Sequence, residues 1–295
     1  MSERLLRISC GINLATTPAS DLREYMLRGI DFNAAAGFEA LDFNCALSRY
    51  APDNYREIMA EAKEYAASKG LRFELCHLPF GNKPWTTGDA QKAFNEHMSR
   101  SIDAASILGV DYAVVHPVDT TKLRQDMDYN KSLELEMKVL SPFVNEGAKK
   151  GVNIVVENMR IAAEQEKLMT TPFILGRENS EPEHLSRVAD KLGIGICWDF
   201  GHAHCSWINS YEALKIVGSR LKMTHVCDNH KYLDEHLAPF FGSIDWAGAA
   251  KGMAEIGYRG LFNFEVSAGK LPPETREIYA KYLISAAEKI IGMME

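Results

Sequence analysis

The sequence predicts an α/β fold, a single-domain (β/α)8 TIM barrel spanning residues 1–295. Three observations carry that prediction. Eight short apolar, β-rich runs recur every roughly 30–40 residues, the length a strand and its crossover helix require. Stretches with helical periodicity lie between the runs. No Pro/Gly/Ser-rich linker or low-complexity tract divides the chain. A doubly wound open sheet would call for a Gly-rich phosphate loop after the first run, and none follows Ile12.

The runs are Arg7–Ile12, Ala40–Phe43, Phe73–Cys76, Tyr112–Val115, Ile154–Val156, Ile194–Trp198, Met223–Val226 and Leu261–Phe264. Between the second and third, Ala60–Ala67 spaces its apolar residues by three and four and stops before Gly70. Phe94–Leu108 stops at Gly109 and Leu133–Ala148 before Gly151, glycine being the residue that most readily takes the left-handed helix stop. Gly-Val-Asp, Gly-Val-Asn and Gly-Ile-Gly precede the fourth, fifth and sixth runs, so one helix-stop, strand-start pattern repeats. Ile278–Ile291 closes the chain as an amphipathic helix.

Composition sets outer bounds. With 33 Lys+Arg against 40 Asp+Glu, the formal charge is −7, which argues against nucleic acid as a main partner because phosphate backbones are held by surplus cations. No apolar run approaches the ~18 residues of a membrane span. Met1–Arg7 lacks the charged-then-apolar order of a signal peptide. The six cysteines, Cys10, Cys45, Cys76, Cys197, Cys205 and Cys227, have no metal-type CxxC spacing, and reduced, buried thiols of a cytoplasmic protein are expected. The oligomeric state is left open.

In a (β/α)8 barrel the active site gathers at the C-terminal ends of the strands. Six consecutive runs here end in a His, Asp or Glu: His77, His116, Glu157, Asp199 with His202, His225 and Glu265. Each follows apolar residues, where a lone charge is costly. Three carboxylates brought together near buried surface need cations among them, and a mixed imidazole and carboxylate set suits a divalent metal. Asp234 and His236, two apart in a polar loop, could complete a further position. His204 reads as a loop residue, His97 and His184 as helix-surface residues, and Phe80 as a packed loop aromatic. Trp85, Trp198, Phe240 and Trp246 lie near strand ends or their loops, where they read as walls and core or as a surface on which a ligand's apolar face could stack; Trp198 is singled out as a substrate contact.

These residues resemble the xylose isomerase-like TIM barrel superfamily, which unites sugar and sugar-phosphate isomerases and epimerases with DNA-repair enzymes of the endonuclease IV type. The resemblance runs from Ile8 to about Tyr282. It is strongest in Val155–Asn158, Cys197–His202, Phe262–Val266 and the seventh-strand stretch, where His225-Val-Cys-Asp-Asn is followed by Asp234-Glu-His236 and by Pro239 through Trp246. The epimerase branch implies one divalent metal, Mn, Co or Mg, on Glu157, Asp199, His225 and Glu265, and with the zinc of the other branch the expected cofactor is Mn, Co, Mg or Zn. Glu157 and Glu265 would double as the acid–base pair that moves a proton through a metal-held enediolate. His202 matches a substrate contact, and Lys231 stands where that branch commonly has Arg, a point donor in place of a planar fork.

The endonuclease branch implies three zincs. One would lie on His77, His116 and Glu157, a second on Glu157, Asp199, His225 and Glu265, and a third on His202, Asp234 and His236. Charge is the discriminator. Lys83, Arg160, Lys167, Arg177, Lys231 and Lys270 are offset by Asp89, Glu164, Glu166, Glu178, Glu181 and Asp234 on the loops after the strands, a balanced rim suited to a small polar ligand. The expectation is an isomerase or epimerase of a small sugar, sugar phosphate or polyol-derived ketose, with zinc-dependent hydrolysis at abasic DNA as the alternative.

Overall fold

Parallel pairing closes eight strands on themselves in the computed structural model, which describes residues 5–14, 21–45, 53–81, 87–161, 174–268 and 271–295. The strands are β1 (Arg7–Gly11), β2 (Ala40–Asn44), β3 (Phe73–His77), β4 (Tyr112–Val115), β5 (Asn153–Glu157), β6 (Gly195–Asp199), β7 (Leu221–Val226) and β8 (Leu261–Phe264). Each pairs with its sequence neighbours, and β8 returns to β1 with Ser9 opposite Asn263. All eight runs read from the sequence are barrel strands. The boundary differences matter at one end: β3, β5 and β6 each extend to include His77, Glu157 and Asp199. The ligand-type residues there are the last strand residues, with backbone fixed by the ladder.

The helices are α1 (Leu22–Ala36), α2 (Tyr55–Ser68), α3 (Gly88–Leu108), α4 (Tyr129–Lys150), α5 (Pro182–Leu192), α6 (Phe200–Cys205), α7 (Ser210–Val217), α8 (Trp246–Glu255) and α9 (Pro273–Ile291). The repeated helix-stop pattern has a physical basis. Gly109, Gly151 and Gly193 sit at φ +77, +75 and +68°, and the next residue's N–H returns to a carbonyl in the last helical turn. Val110 and Val152 are buried at that point, so each helix ends on an apolar anchor that starts the following strand. The short α6, directly after β6, and a two-stranded ribbon of Lys122–Leu123 with Leu175–Gly176 were not expected from periodicity, because neither is long enough to show one.

Strand alternation divides the interior in two. Ala40, Leu75, Val114, Val155, Cys197, Met223 and Leu261 point inward and fill the barrel, while their neighbours join the larger core between barrel and helices. The same parity carries Asp42, His77, His116, Glu157, Asp199, His225, Asn263 and Glu265 inward. All six cysteines are buried and free. No helix among the described residues is long and apolar enough to cross a membrane.

Candidate metal centre

Glu157, at the end of β5, stands at the centre of the site with no exposed surface. Its Oε1 lies 2.8 Å from His225 Nδ1 on β7, and that nitrogen is also 2.8 Å from Glu265 Oε2 just beyond β8. Ligand-capable atoms of Glu157, Asp199, His225 and Glu265 all lie within 4.8 Å of one another. Burial opposes ionisation of both glutamates, yet His225 beside them prevails: it holds Glu157 well below the usual carboxylate range and Glu265 down to about 2. Burial would lower His225, but Cys197 and the two glutamates raise it well above an ordinary imidazole. Asp199 is pushed up to about 7 by burial and by Glu157, Glu265 and Asp234, despite the attraction of His202.

On the other side of Glu157 two histidines converge. His77 Nδ1 donates to the Leu78 carbonyl (2.7 Å), which leaves Nε2 with a lone pair in the neutral ring. That Nε2 lies 2.9 Å from His116 Nε2, and the two are 3.5 and 3.0 Å from Glu157 Oε2. Burial pulls His116 down to about 4 even with Glu157 beside it. The arrangement recurs further out. His202 Nδ1 meets the Asn158 carbonyl at 2.9 Å and His236 Nδ1 meets the Glu265 carbonyl at 2.8 Å. Their Nε2 atoms then both face Asp234 Oδ2, at 3.3 and 3.4 Å. Metal-binding histidines characteristically give the other ring N–H to a backbone carbonyl or carboxylate. Cys227 also offers its sulfur to the group of Asp234 and His236, a contribution its apolar sequence setting did not signal.

Local backbone chemistry holds these groups. Asn158 donates from Nδ2 to the Asp199 carbonyl (2.9 Å) and accepts the Asp199 N–H (2.7 Å), so one buried side chain ties the end of β5 to the end of β6. Asp199 caps α6 by accepting the His202 N–H, which sets the His202 ring over the site. Asp228 does the same for the next loop. Its carboxylate accepts from Phe240 N, Ile244 N and Trp246 Nε1, and a Cβ on Gly242 would come within 2.3 Å of it. This is why the segment from Pro239 to Trp246 has a glycine at its centre. Sequence reasoning named neither the clamp of Asn158 nor the anchor of Asp228, since both act mainly through backbone groups.

Several expectations are corrected. Trp198 cannot meet a substrate: Asp199 faces the mouth, so alternation turns Trp198 outward, fully buried, with its indole toward Ser210. Lys231 lies with Nζ 4.5 Å over the Trp207 ring, lining a cleft with His204 and Ser243 and not the cluster of carboxylates. Trp246 is buried on Asp228. His184 is buried in α5 against Ser132, not on the surface. Phe80 is half exposed, stacked on His116 at 5.2 Å. The balanced rim also dissolves in part. Arg177 and Glu178 are buried, bonded to Asp119 and Lys122, and Arg160 is paired with Asp234. Lys83, Trp85, Glu164, Glu166, Lys167 and Lys270 lie outside the described residues.

A closed parallel barrel with imidazole and carboxylate groups converging at its C-terminal mouth defines a class of candidate metal-dependent barrel enzymes. The chain belongs to the xylose isomerase-like TIM barrel family, whose model matches residues 30–283. It is 30% identical to the Sinorhizobium fredii protein y4fM over 176 residues, 58% of this chain and 51% of that one, so the match spans about half the relative's length. Among solved structures it is similar to a D-tagatose 3-epimerase-like protein (TM-score 0.71, 22% identity, 97% and 98% of the two chains). It is likewise similar to D-allulose 3-epimerase from Methylomonas sp. (0.73, 16%, 98% and 99%) and to an L-ribulose 3-epimerase (0.74, 15%, 98% and 95%). At these identities the likeness shows a shared fold.

Proposed function

We propose that this protein is a divalent-metal-dependent isomerase or epimerase of a small ketose, a sugar phosphate or a polyol-derived ketose. The supporting observation is the convergence of Glu157, Asp199, His225 and Glu265. Among the described residues, Asp199 Oδ2 and His225 Nε2 are buried without a hydrogen-bond partner, and Glu157 Oε1 and Glu265 Oε2 crowd onto the single His225 Nδ1, so the group has lone pairs left over that fit a cation. Oxygen and imidazole donors suit Mn, Co, Mg or Zn. A cation bound there supplies a Lewis acid for the carbonyl and offsets charge that develops on enolisation.

The rest of the chemistry belongs to side chains. Glu157 and Glu265 come from β5 and from beyond β8, three strands apart, and reach a ketose in the mouth from different sides. One removes the proton beside the carbonyl, and the other returns a proton to the opposite face of the enediolate. His202, with Nδ1 on the Asn158 carbonyl and Nε2 3.3 Å from Asp234, would share its Nε2–H with a substrate hydroxyl. The fold neighbours named as ketose 3-epimerases agree with this reading.

A second reading has its own observation. The two further histidine pairs, each closing on one carboxylate oxygen, suit a multi-zinc hydrolase of phosphodiesters at abasic DNA. One experiment separates the two. The protein is loaded with Mn, Co, Mg or Zn, bound metal is counted by elemental analysis, and each form is assayed on D-allulose, D-tagatose, L-ribulose and an abasic duplex. Ketose epimerisation supports the proposal. Cleavage of the duplex by a form holding two or three zincs, with no ketose turned over, overturns it.

A further inference from the structure

The candidate ligands arise from β3 through β8, which leaves the β1–β2 side of the mouth to meet whatever part of a substrate the metal group does not hold. One inward step before the candidate ligands, the strands carry Leu75, Val114, Val155, Cys197 and Met223, the usual apolar filling of this fold. On the β1–β2 side that filling gives way to three polar residues on adjacent strands: Ser9 on β1, Asn263 on β8 and Asp42 on β2. They form a directed chain. Ser9 Oγ donates to Asn263 Oδ1 at 2.8 Å, which obliges the amide to aim Nδ2 at Asp42, where it donates to Oδ2 at 3.1 Å. Asp42 is only 8% exposed, and its other oxygen, Oδ1, is buried without a hydrogen-bond partner among the described residues. It lies close enough to His77, His225 and Glu265 to interact with all three electrostatically. The two-glutamate chemistry gives it no role.

We infer that Asp42 is the residue that recognises a substrate hydroxyl remote from the reacting carbons, with Asn263 and Ser9 as positioning residues that present Oδ1 as the acceptor. The inference rests on the ketose reading above and narrows it to polyhydroxylated chains long enough to reach from the metal group to the β1–β2 wall. A site built around a buried acceptor discriminates strongly against an analogue lacking the hydroxyl, because the acceptor is then left unpaired.

The test uses the metal-loaded protein with D-allulose and its 4-, 5- and 6-deoxy analogues. Wild type should lose at least about tenfold in kcat/KM on one of the three analogues, mostly through KM. Asp42→Ala should lose a similar factor on D-allulose itself and show no additional penalty for that analogue, while metal content is unchanged. A second variant, Asp42→Asn, retains the side chain's size and guards against a folding defect in the alanine variant. Asn263→Leu should weaken the discrimination without abolishing it. An active wild type whose deoxy penalties persist in Asp42→Ala and Asp42→Asn refutes the role of Asp42 alone. A wild type that neither turns over nor binds any ketose refutes the ketose reading and this inference together.

Discussion

Asn158 offers the sharpest test of how the site is held. Its side chain makes two buried hydrogen bonds to the backbone of Asp199, at 2.9 and 2.7 Å, and Asp199 has no exposed surface. Asn158→Ala leaves one N–H and one C=O without partners, at about 1–3 kcal/mol each. Partial relaxation should leave a net loss of about 3 kcal/mol, or about 6 °C in melting temperature at about 2 °C per kcal/mol for a domain of this size. The same change frees the β5–β6 spacing between Glu157 and Asp199, so manganese affinity should fall about 10–100-fold, as when groups that orient metal ligands are removed. Asn158→Asp keeps an acceptor for the Asp199 N–H but sets a carboxylate oxygen against the Asp199 carbonyl, and it should be no more stable than Asn158→Ala. The assays are thermal and urea unfolding of the metal-free protein and calorimetric titration with manganese. An alanine variant that melts within about 1 °C of wild type and binds manganese as tightly would refute the clamp.

Three more outcomes are expected. Glu157→Gln and Glu265→Gln should each lower ketose turnover by at least about 100-fold while circular dichroism shows an intact fold; full activity in both would dismiss the two-glutamate chemistry. Burial holds His184 below an ordinary imidazole, despite the attraction of Asp119 and Glu178. The unfolded chain therefore takes up that proton first as pH falls, so the contribution is complete above about 6.5 and fades below it. Stability measured from pH 7 to pH 5 should fall less steeply in His184→Gln than in wild type, and identical slopes would contradict this. Gly242→Ala must force apart Asp228 and the backbone of Asn229, which a Cβ would approach to 2.3 and 2.5 Å, so the variant should melt markedly lower. An unchanged melting curve would show that the loop relaxes freely.

What the sequence made legible was set by local rules. Strand runs and glycine stops are written in consecutive residues, and the left-handed Gly109, Gly151 and Gly193 confirm that pattern. Ligand types at strand ends were legible because each is adjacent in sequence to the strand that delivers it. Groups defined by a partner on another strand were not. Asp42 reads as one acid in an apolar run, and only barrel closure brings it to Asn263 and Ser9. Trp198 shows the opposite error. Nearness to a strand end suggested a substrate contact, whereas alternation, already fixed by Asp199, sends its ring to the helices. Counting loop charges failed for a related reason, since Arg177 and Glu178 are in a loop by sequence and in a buried network by structure.

That failure shifts the choice between the two chemistries from the rim to Glu157 itself. This carboxylate has two oxygens and two sets of neighbours: Oε1 faces His225, and Oε2 faces His116 and His77. A carboxylate that serves as a ligand on both sides has neither oxygen left to accept a proton from carbon. Proton transfer by Glu157 therefore requires the His77–His116 side to stay free of metal, whereas phosphodiester hydrolysis requires it filled. Replacing His116 by Gln removes one donor from that side and leaves Glu157, Asp199, His225 and Glu265 in place. If the protein is an epimerase, His116→Gln should keep its metal count and most of its turnover. If it is a multi-zinc hydrolase, the same change should lower the zinc count by one and abolish cleavage.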